Sequence, residues 1–482
     1  MSSANILAAS LTGLSLTYFL FLGLRSSRRI KSLTSYFLAD RNLDESSLSN
    51  TIAASGLSNG TVALAYLQIF PSFGYWTFIA FAANFAGHIL FISLINKVTK
   101  TKSFDIGQFT TVGDLVFGST ESNRLSNLVD SITFISFLAA LLVELVIGAQ
   151  LFVALLPDLP FAEYIGFLVT SSIIVLYIVT GGFIATVESD SWQMRIILSS
   201  SICFVIFLLV FFFYTDSSKF IESSFSFDGG GLAPNTTIIL WAINTIFLSV
   251  LFPIGQLTSW QRIASTQEDK RIKGLWKGLR NLTWLWLTFA FAGFVFAYKG
   301  IAVGEWGVVF SAMEKYGGIH YEFFYPILFA GLVAAVISTA DSNAVAVIFS
   351  RFSGTLKNNE VDWQKAKKKI RNICYFISIV LVVFFIAYTE LGQKNTLLNL
   401  IFALFGLYLL LVPIVSSIVL GRNEPKSEKL IYFTLLIGVL VLAAFCIPGM
   451  LTGNLSYVLS GNLIGFFISC IGVFFGFKIQ SK

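Results

Sequence analysis

The stretch Gly331-Leu332-Val333-Ala334-Ala335-Val336-Ile337-Ser338-Thr339-Ala340-Asp341-Ser342-Asn343 lies inside an apolar run from about Phe323 to Phe349. About 20 apolar residues suffice to cross the hydrocarbon core of a bilayer as a helix, so the run predicts a transmembrane segment. Such a segment should not carry Ser, Thr, Asp, Ser and Asn in quick succession. An ionisable group at membrane depth costs about 3 kcal/mol or more and is normally kept for a task. At about 100° per residue, Ala335, Ser338, Thr339 and Ser342 fall on one arc of the helix, with Asp341 beside it. That face offers hydroxyl and carboxylate oxygens and no soft ligand. Hard cations take oxygen ligands, so the face reads as a site for sodium.

The rest of the chain agrees with a membrane setting. Of its 482 residues, 56% are hydrophobic and only 12% charged, with a mean hydropathy of +0.79. Soluble domains carry about 25% charge. The expected fold class is therefore an all-α polytopic membrane protein. Its expected partner is the lipid bilayer, with no obligate protein partner evident. The formal charge of +6 does not call for nucleic acid, because topology accounts for the basic residues, as shown next. Cys203, Cys374, Cys446 and Cys470 sit in apolar runs without a CxxC spacing, which makes them structural thiols. His88 and His320 are far apart, and nothing resembles HExxH. An intramembrane enzyme would need clustered acid/base or metal-binding residues, and a channel would need a pore-lining repeat; neither pattern occurs. The N-terminal apolar run lacks a basic start and a small-residue cleavage pattern, so it reads as a helix rather than a signal peptide.

Thirteen spans are expected, at about 5–25, 47–70, 75–96, 125–156, 161–181, 189–214, 236–257, 278–299, 323–350, 371–389, 396–420, 429–449 and 456–477. The positive-inside rule tests that count. With the N-terminus outside, 28 of the 32 Lys and Arg residues fall at cytoplasmic loops and helix ends. Only Lys219, Lys299, Lys315 and Lys394 fall outside. One misplaced crossing would scramble that split. An N-out, C-in orientation follows, in a membrane expected to be the bacterial plasma (inner) membrane. The external stretches at about 215–235 and 300–322 are long enough for small gating elements. The cytoplasmic charge run Lys357–Lys369 reads as a solvated loop, with contact to lipid headgroups as the alternative.

Two of the spans are interrupted. The second contains Ala53-Ala54-Ser55-Gly56-Leu57-Ser58-Asn59-Gly60-Thr61, where Gly and small polar residues permit local unwinding. The seventh contains Phe252-Pro253-Ile254-Gly255-Gln256, where proline removes a backbone donor. The interruptions are five spans apart. Because five is odd, two consecutive five-helix units have opposite orientation. Paired interruptions in inverted repeats mark a transporter's midplane site; close helix packing on small residues is the plainer reading.

Four stretches now carry a family resemblance: Ser35-Tyr36-Phe37-Leu38-Ala39-Asp40-Arg41; Tyr177-Ile178-Val179-Thr180-Gly181-Gly182 followed by Asp190-Ser191-Trp192-Gln193; Trp260-Gln261-Arg262-Ile263-Ala264; and Ser338-Thr339-Ala340-Asp341-Ser342. In this order and spacing the chain resembles the solute:sodium symporters over nearly its whole length. The resemblance implies a 5+5 inverted-repeat core of the leucine-transporter type, with core helices 1 and 6 broken. It places an extra N-terminal helix at 1–34, the first repeat at 35–215, the second at 216–421, and two further helices at 422–482. It implies a sodium site built from the carbonyls of Ala54, Leu57 and Ala335 and the hydroxyls of Ser338 and Thr339. A second sodium would fall on Asp190, Asp341 and Ser342. For Asp190 a helix N-terminal carboxylate is the plain alternative, and for Asp341 an ion pair or cap within the bundle. The implied substrate positions are Ser58, Thr61, Gln256 and Ser259, with Thr77, Asn84 and Glu144 as further polar candidates. Proline-carrying relatives have an acidic residue where this chain has Gly56, which counts against simple proline transport. The expected function is sodium-coupled uptake of a small polar organic solute such as an amino acid, a sialic acid or sugar, or a carboxylate. Na+ is the only cofactor. Proton coupling through Asp190 and Asp341 is the competing reading. A membrane sensor is remote, since some relatives fuse a signalling kinase and this chain runs only a few residues past the last expected span.

Overall fold

Inside a bilayer every backbone amide must be satisfied within the segment itself, and this chain answers with helices. The computed structural model describes residues 2–101, 104–214, 236–301, 303, 305–317, 321–354, 362–390, 396–421 and 425–477. The helices run as α1 (Ser3–Ser27), α2 (Leu33–Leu38), α3 (Glu45–Gly56), α4 (Ala65–Phe73), α5 (Thr77–Thr101), α6 (Val112–Thr120), α7 (Asn123–Leu155) and α8 (Ala162–Tyr214). They continue as α9 (Thr236–Gly255), α10 (Leu257–Ala264), α11 (Arg271–Tyr298), α12 (Trp306–Gly317), α13 (Tyr321–Phe349), α14 (Trp363–Glu390), α15 (Thr396–Val419), α16 (Glu428–Thr452) and α17 (Leu455–Gly476).

Eleven helical segments among the described residues are long and apolar enough to cross a membrane. One of them, α8, is two crossings joined at Gly182, whose backbone turns to φ +51°, ψ −149°. A Cβ there would stand 2.6 Å from the Tyr36 ring, so both the left-handed backbone and the close approach require glycine. The interrupted run from α3 to α4 supplies a further crossing. With these two the thirteen expected spans are accommodated. The helix after Gly182 continues from residue 183, earlier than the expected start at 189. Asp190 therefore lies about two turns inside it. The effect of a helix dipole fades within the first turn, so the reading of Asp190 as a helix N-terminal carboxylate does not hold.

The core of the bundle is α13. Every residue from Leu328 to Phe349 is buried, packed against α7, α8, α1 and α3. Close approach to α8 depends on Gly331, where a Cβ would fall 1.9 Å from the Ser200 hydroxyl. By contrast α14 and α16 turn large apolar side chains outward, among them Ile379, Val383 and Leu440. They form the lipid-facing surface that a polytopic protein needs. The stretch after α11, expected to be external, contains α12, anchored by the fully buried Trp306. The other expected gating stretch, 215–235, lies outside the described residues. A short helix, α6, fills the loop before α7.

Three of the four quoted stretches meet at one end of the bundle. The Tyr36 hydroxyl donates to the carbonyl of Ile178 at 2.7 Å, and the Gln261 amide donates to the carbonyl of Phe37 at 2.7 Å. The segment before α3 also pairs with the segment after α10, through Leu43 N–H to Ser265 O at 2.9 Å and Gln267 N–H to Leu43 O at 3.1 Å. The entry to the first broken helix and the exit from the second are thereby tied together.

Asp44 caps α3, accepting from the backbone N–H of Ser47 at 2.7 Å. That hydrogen bond holds its carboxyl below the usual carboxylate range. A depressed carboxylate contributes stability above its ordinary pKa and loses it as pH falls through the folded value. Asp44→Ala should cost about 1 kcal/mol near neutral pH, with the gap to wild type closing below about pH 4. Thermal unfolding in detergent across pH reads both outcomes.

Candidate ion and substrate site

The first break follows from the sequence Gly56-Leu57-Ser58. α3 ends at Gly56, and Leu57 leaves the helix at φ −93°, ψ 67°. The chain resumes as a wide π-helical turn at Asn59–Leu64, with both Val62 and Ala63 N–H reaching back to the Ser58 carbonyl at 3.1 Å. The last four carbonyls of a helix have no partner within it, and here they include Ala54. Wide turns of this kind recur at functional sites. The second break mirrors the first. α9 carries Pro253 and ends at Gly255, Gln256 is extended at φ −90°, ψ 117°, and α10 begins at Leu257. The Trp260 indole N–H donates to the Ile254 carbonyl at 2.8 Å and closes the break.

Against the first break stands the polar face of α13. The Thr339 hydroxyl donates to the carbonyl of Ser55 at 3.4 Å, one residue beyond the expected Ala54. Ser338 turns to the other side and donates to Asp190 Oδ1 at 2.5 Å. The second Asp190 oxygen accepts from the Thr51 hydroxyl. One carboxylate on α8 thus holds α3 and α13 together. Ser338, expected in the first sodium site, is bonded to a residue expected in the second.

Three charged groups share this buried region. Asp190 and Asp341 are both fully buried, and Arg262 is 5% exposed. Arg262 donates from Nε to the Thr51 hydroxyl at 3.2 Å and from Nη2 to the Ser342 hydroxyl at 2.9 Å. It forms no ion pair within 4.0 Å among the described residues, the pairs there being Arg29–Glu188, Lys270–Asp269 and Lys277–Glu45. Neither oxygen of Asp341 accepts a well-formed hydrogen bond. The alternative of Asp341 as half of an ion pair or as a cap is therefore not what the structure shows. With both carboxylates ionised, one negative charge remains after Arg262 is counted. A buried charge is costly unless it is paired or coordinates an ion, so this donor set suits a monovalent cation. Arg262, among the basic residues expected at cytoplasmic loops and helix ends, instead sends its side chain into the bundle from α10.

A cavity with about 180 Å³ of room for water-sized atoms opens beside the cluster. Thr339, Ser342 and Arg262 line its ion-cluster side. Ser55, Gly56 and Ser58 line it from the first break, and Gln256 and Ser259 from the second. Gln256 accepts from the Ser259 hydroxyl at 3.0 Å. Glu144, 1% exposed on α7, lines the cavity and accepts from the Ser58 hydroxyl. Asn84 also lines it, whereas Thr77 is buried at the start of α5 and does not. The Thr61 side chain lies outside the described residues. Among the other lining residues, none marked by a sequence pattern, are Tyr66, His88 and Trp286. His88 Nδ1 lies 3.0 Å from the Asn84 carbonyl, which accepts from it, and its ring meets Trp286 edge-on at 5.1 Å.

No protein-family model and no curated protein matches the sequence. Among solved structures the chain is similar to a Na+-coupled sialic acid symporter in a substrate-bound outward-open state, with 14% identity, 99% of each chain covered and a TM-score of 0.66. It is also similar to a nucleobase-cation-symport-1 family transporter closed around bromovinylhydantoin (17% identity, 91% of this chain and 93% of that one, TM-score 0.55). A manganese transporter of Eremococcus coleocola matches at 14% identity, 92% and 97% coverage and TM-score 0.55. At these identities what is shared is the fold.

The two aspartates should respond oppositely to neutralisation. Asp190 is hydrogen-bonded across three helices, so Asp190→Asn in sodium-free choline buffer should destabilise the protein by about 1–3 kcal/mol. Asp341→Asn removes a buried charge with no hydrogen bond and should leave stability unchanged or raise it. Thermal unfolding of the two variants side by side measures the contrast.

Proposed function

We propose that the protein is a secondary active transporter that couples the inward movement of sodium to uptake of a small polar organic solute. The observation that carries this reading is the buried cluster of Asp190, Asp341, Ser338, Thr339 and Ser342, which holds excess negative charge beside the first helix break and borders the cavity. Ala54, Leu57 and Ala335 would contribute backbone carbonyls to the first sodium, and Asp190, Asp341 and Ser342 would take a second. Ser58, Thr61, Gln256 and Ser259 would contact the solute, with Glu144 and Asn84 as polar neighbours. The likeness to a symporter described as Na+-coupled and sialic-acid-carrying supports the ion and a polar solute.

The chemistry of coupling then follows from contact. Sodium between α3 and α13 fixes the unwound turn at Leu57–Ser58, whose next hydroxyl faces the cavity. Ordering that turn raises affinity for the solute, and by reciprocity the solute raises affinity for sodium. The membrane potential contributes about 2.3 kcal/mol per charge per 100 mV. Rocking of one helix group against the other exposes the site to each side in turn. In this reading the repeats are 35–215 and 216–421, the N-terminus is outside, the C-terminus is cytoplasmic, and the membrane is the bacterial inner membrane. A second reading, proton coupling, draws on Asp341, whose buried and unbonded carboxyl is suited to carry a proton.

A panel of amino acids, sugars, sialic acid and carboxylates, screened by thermal stabilisation, separates the readings. One solute class should raise the melting temperature in sodium and fail to do so in choline. A solute that stabilises equally in choline, with an effect that instead follows pH between 5 and 8, would transfer the coupling role to protons.

A further inference from the structure

The basic residues at one end of the bundle do more than mark an orientation. Between α7 and α14 the surface has a pocket of about 660 Å³, bordered by Arg351, Lys365, Lys368 and Lys369 and walled by Phe134 and Phe376. All four cations are exposed, and none belongs to an ion pair among the described residues. Two of them are held in place. The Arg351 guanidinium lies 4.1 Å over the Phe134 ring, and the Lys369 ammonium lies 4.4 Å over the Phe352 ring while donating to the Arg351 carbonyl at 3.0 Å. Asp130 is in electrostatic reach of Arg351 and accepts from the backbone N–H of Gly113 at 3.1 Å, and Asp114 accepts from Ser353 and Gly354 just after Arg351. Four cations therefore border the pocket with no ion-pair partner within 4.0 Å among the described residues.

Sequence spacing shows what continues from it. On α14, Lys365, Lys369, Asn372, Phe376, Ile379 and Val383 follow one another at steps of three and four residues, which places them on one stripe of a helix. The stripe begins cationic, passes through a polar residue and becomes apolar. Phe376, Ile379 and Val383 are 58%, 65% and 60% exposed, as expected of side chains facing acyl chains. A phosphate group beside lysines with hydrocarbon running away from it along a helix is the profile of an anionic phospholipid. Free phosphate would match the cations and leave the apolar continuation unexplained. Basic pockets between transmembrane helices are a recurring form of headgroup recognition.

We propose that this pocket binds the phosphate of an anionic membrane lipid, with the lipid's acyl chains lying along Phe376, Ile379 and Val383. Arg351 sits just beyond α13, the helix that carries Ser338 and Asp341. The bound lipid would pin the end of α13 to α14 and α7. The site stands on its own geometry and does not depend on the transport reading.

Native mass spectrometry of the full chain in detergent tests the proposal directly, using phosphatidylglycerol, phosphatidylcholine and inorganic phosphate as probes. Phosphatidylglycerol should be retained in preference to phosphatidylcholine. Lys365→Gln/Lys368→Gln should weaken that retention about tenfold or more, while Lys429→Gln, at an exposed basic residue elsewhere, should not. Both lysines are on the surface, so the variant is expected to fold, and an unchanged melting temperature in detergent confirms it. Equal retention of the two lipids, or retention unaffected by the double variant, overturns the proposal. Inorganic phosphate binding as tightly as phosphatidylglycerol would make the pocket a site for a free anion and equally overturn the lipid assignment.

Discussion

The carboxylate of Asp190 is the hinge of this structure's chemistry. It sits fully buried at membrane depth and is answered by two hydroxyls, Ser338 from α13 and Thr51 from α3. Thr51 in turn accepts from Arg262 on α10, which also reaches Ser342 on α13. A single network therefore links helices from both halves of the fold, and each member is costly to bury without the others. Asp341 stands next to this network and outside its hydrogen bonds. In the proposed reading, that asymmetry between the two aspartates is what a bound cation would answer.

The two breaks make the network mechanically consequential. Thr339 reaches the Ser55 carbonyl just before the first break, and the Ser58 hydroxyl just after it faces Glu144 across the cavity. An ion that engages the α13 face and a solute that engages Ser58 would touch the same few residues of unwound chain. Adjacency of this kind lets binding energy at one site appear as affinity at the other. The pairing of Leu43 with the Ser265–Gln267 segment ties together the outer ends of both broken helices.

Much of this was legible in the sequence because the bilayer punishes exceptions. Polar residues inside an apolar run, as at Ser338–Asn343, have few innocent explanations, and the split of Lys and Arg across loops pointed to about thirteen crossings. Glycine and proline marked both breaks. What the sequence left open was side-chain direction. Ser338 serves Asp190, and no helical wheel shows which neighbour a hydroxyl will choose. Arg262 looked like a loop cation because α10 is too short to announce itself as a continuation of the bundle. Tyr66, His88 and Trp286 join the cavity through helix packing between segments distant in sequence, and no local pattern reports that. Asp190 was misread in one alternative because the helix after Gly182 starts earlier than the apolar run suggests.

The central claim, that the Asp190–Asp341 cluster takes sodium from within the membrane field, is tested most directly by charge displacement. Proteoliposomes on a solid-supported membrane can be stepped from choline to sodium without any solute, in wild type and in Ser338→Ala/Thr339→Ala. A saturable transient current that appears with sodium, is absent with potassium and disappears in the double variant is the predicted result. No sodium-dependent displacement, together with a displacement on a pH step, would contradict it.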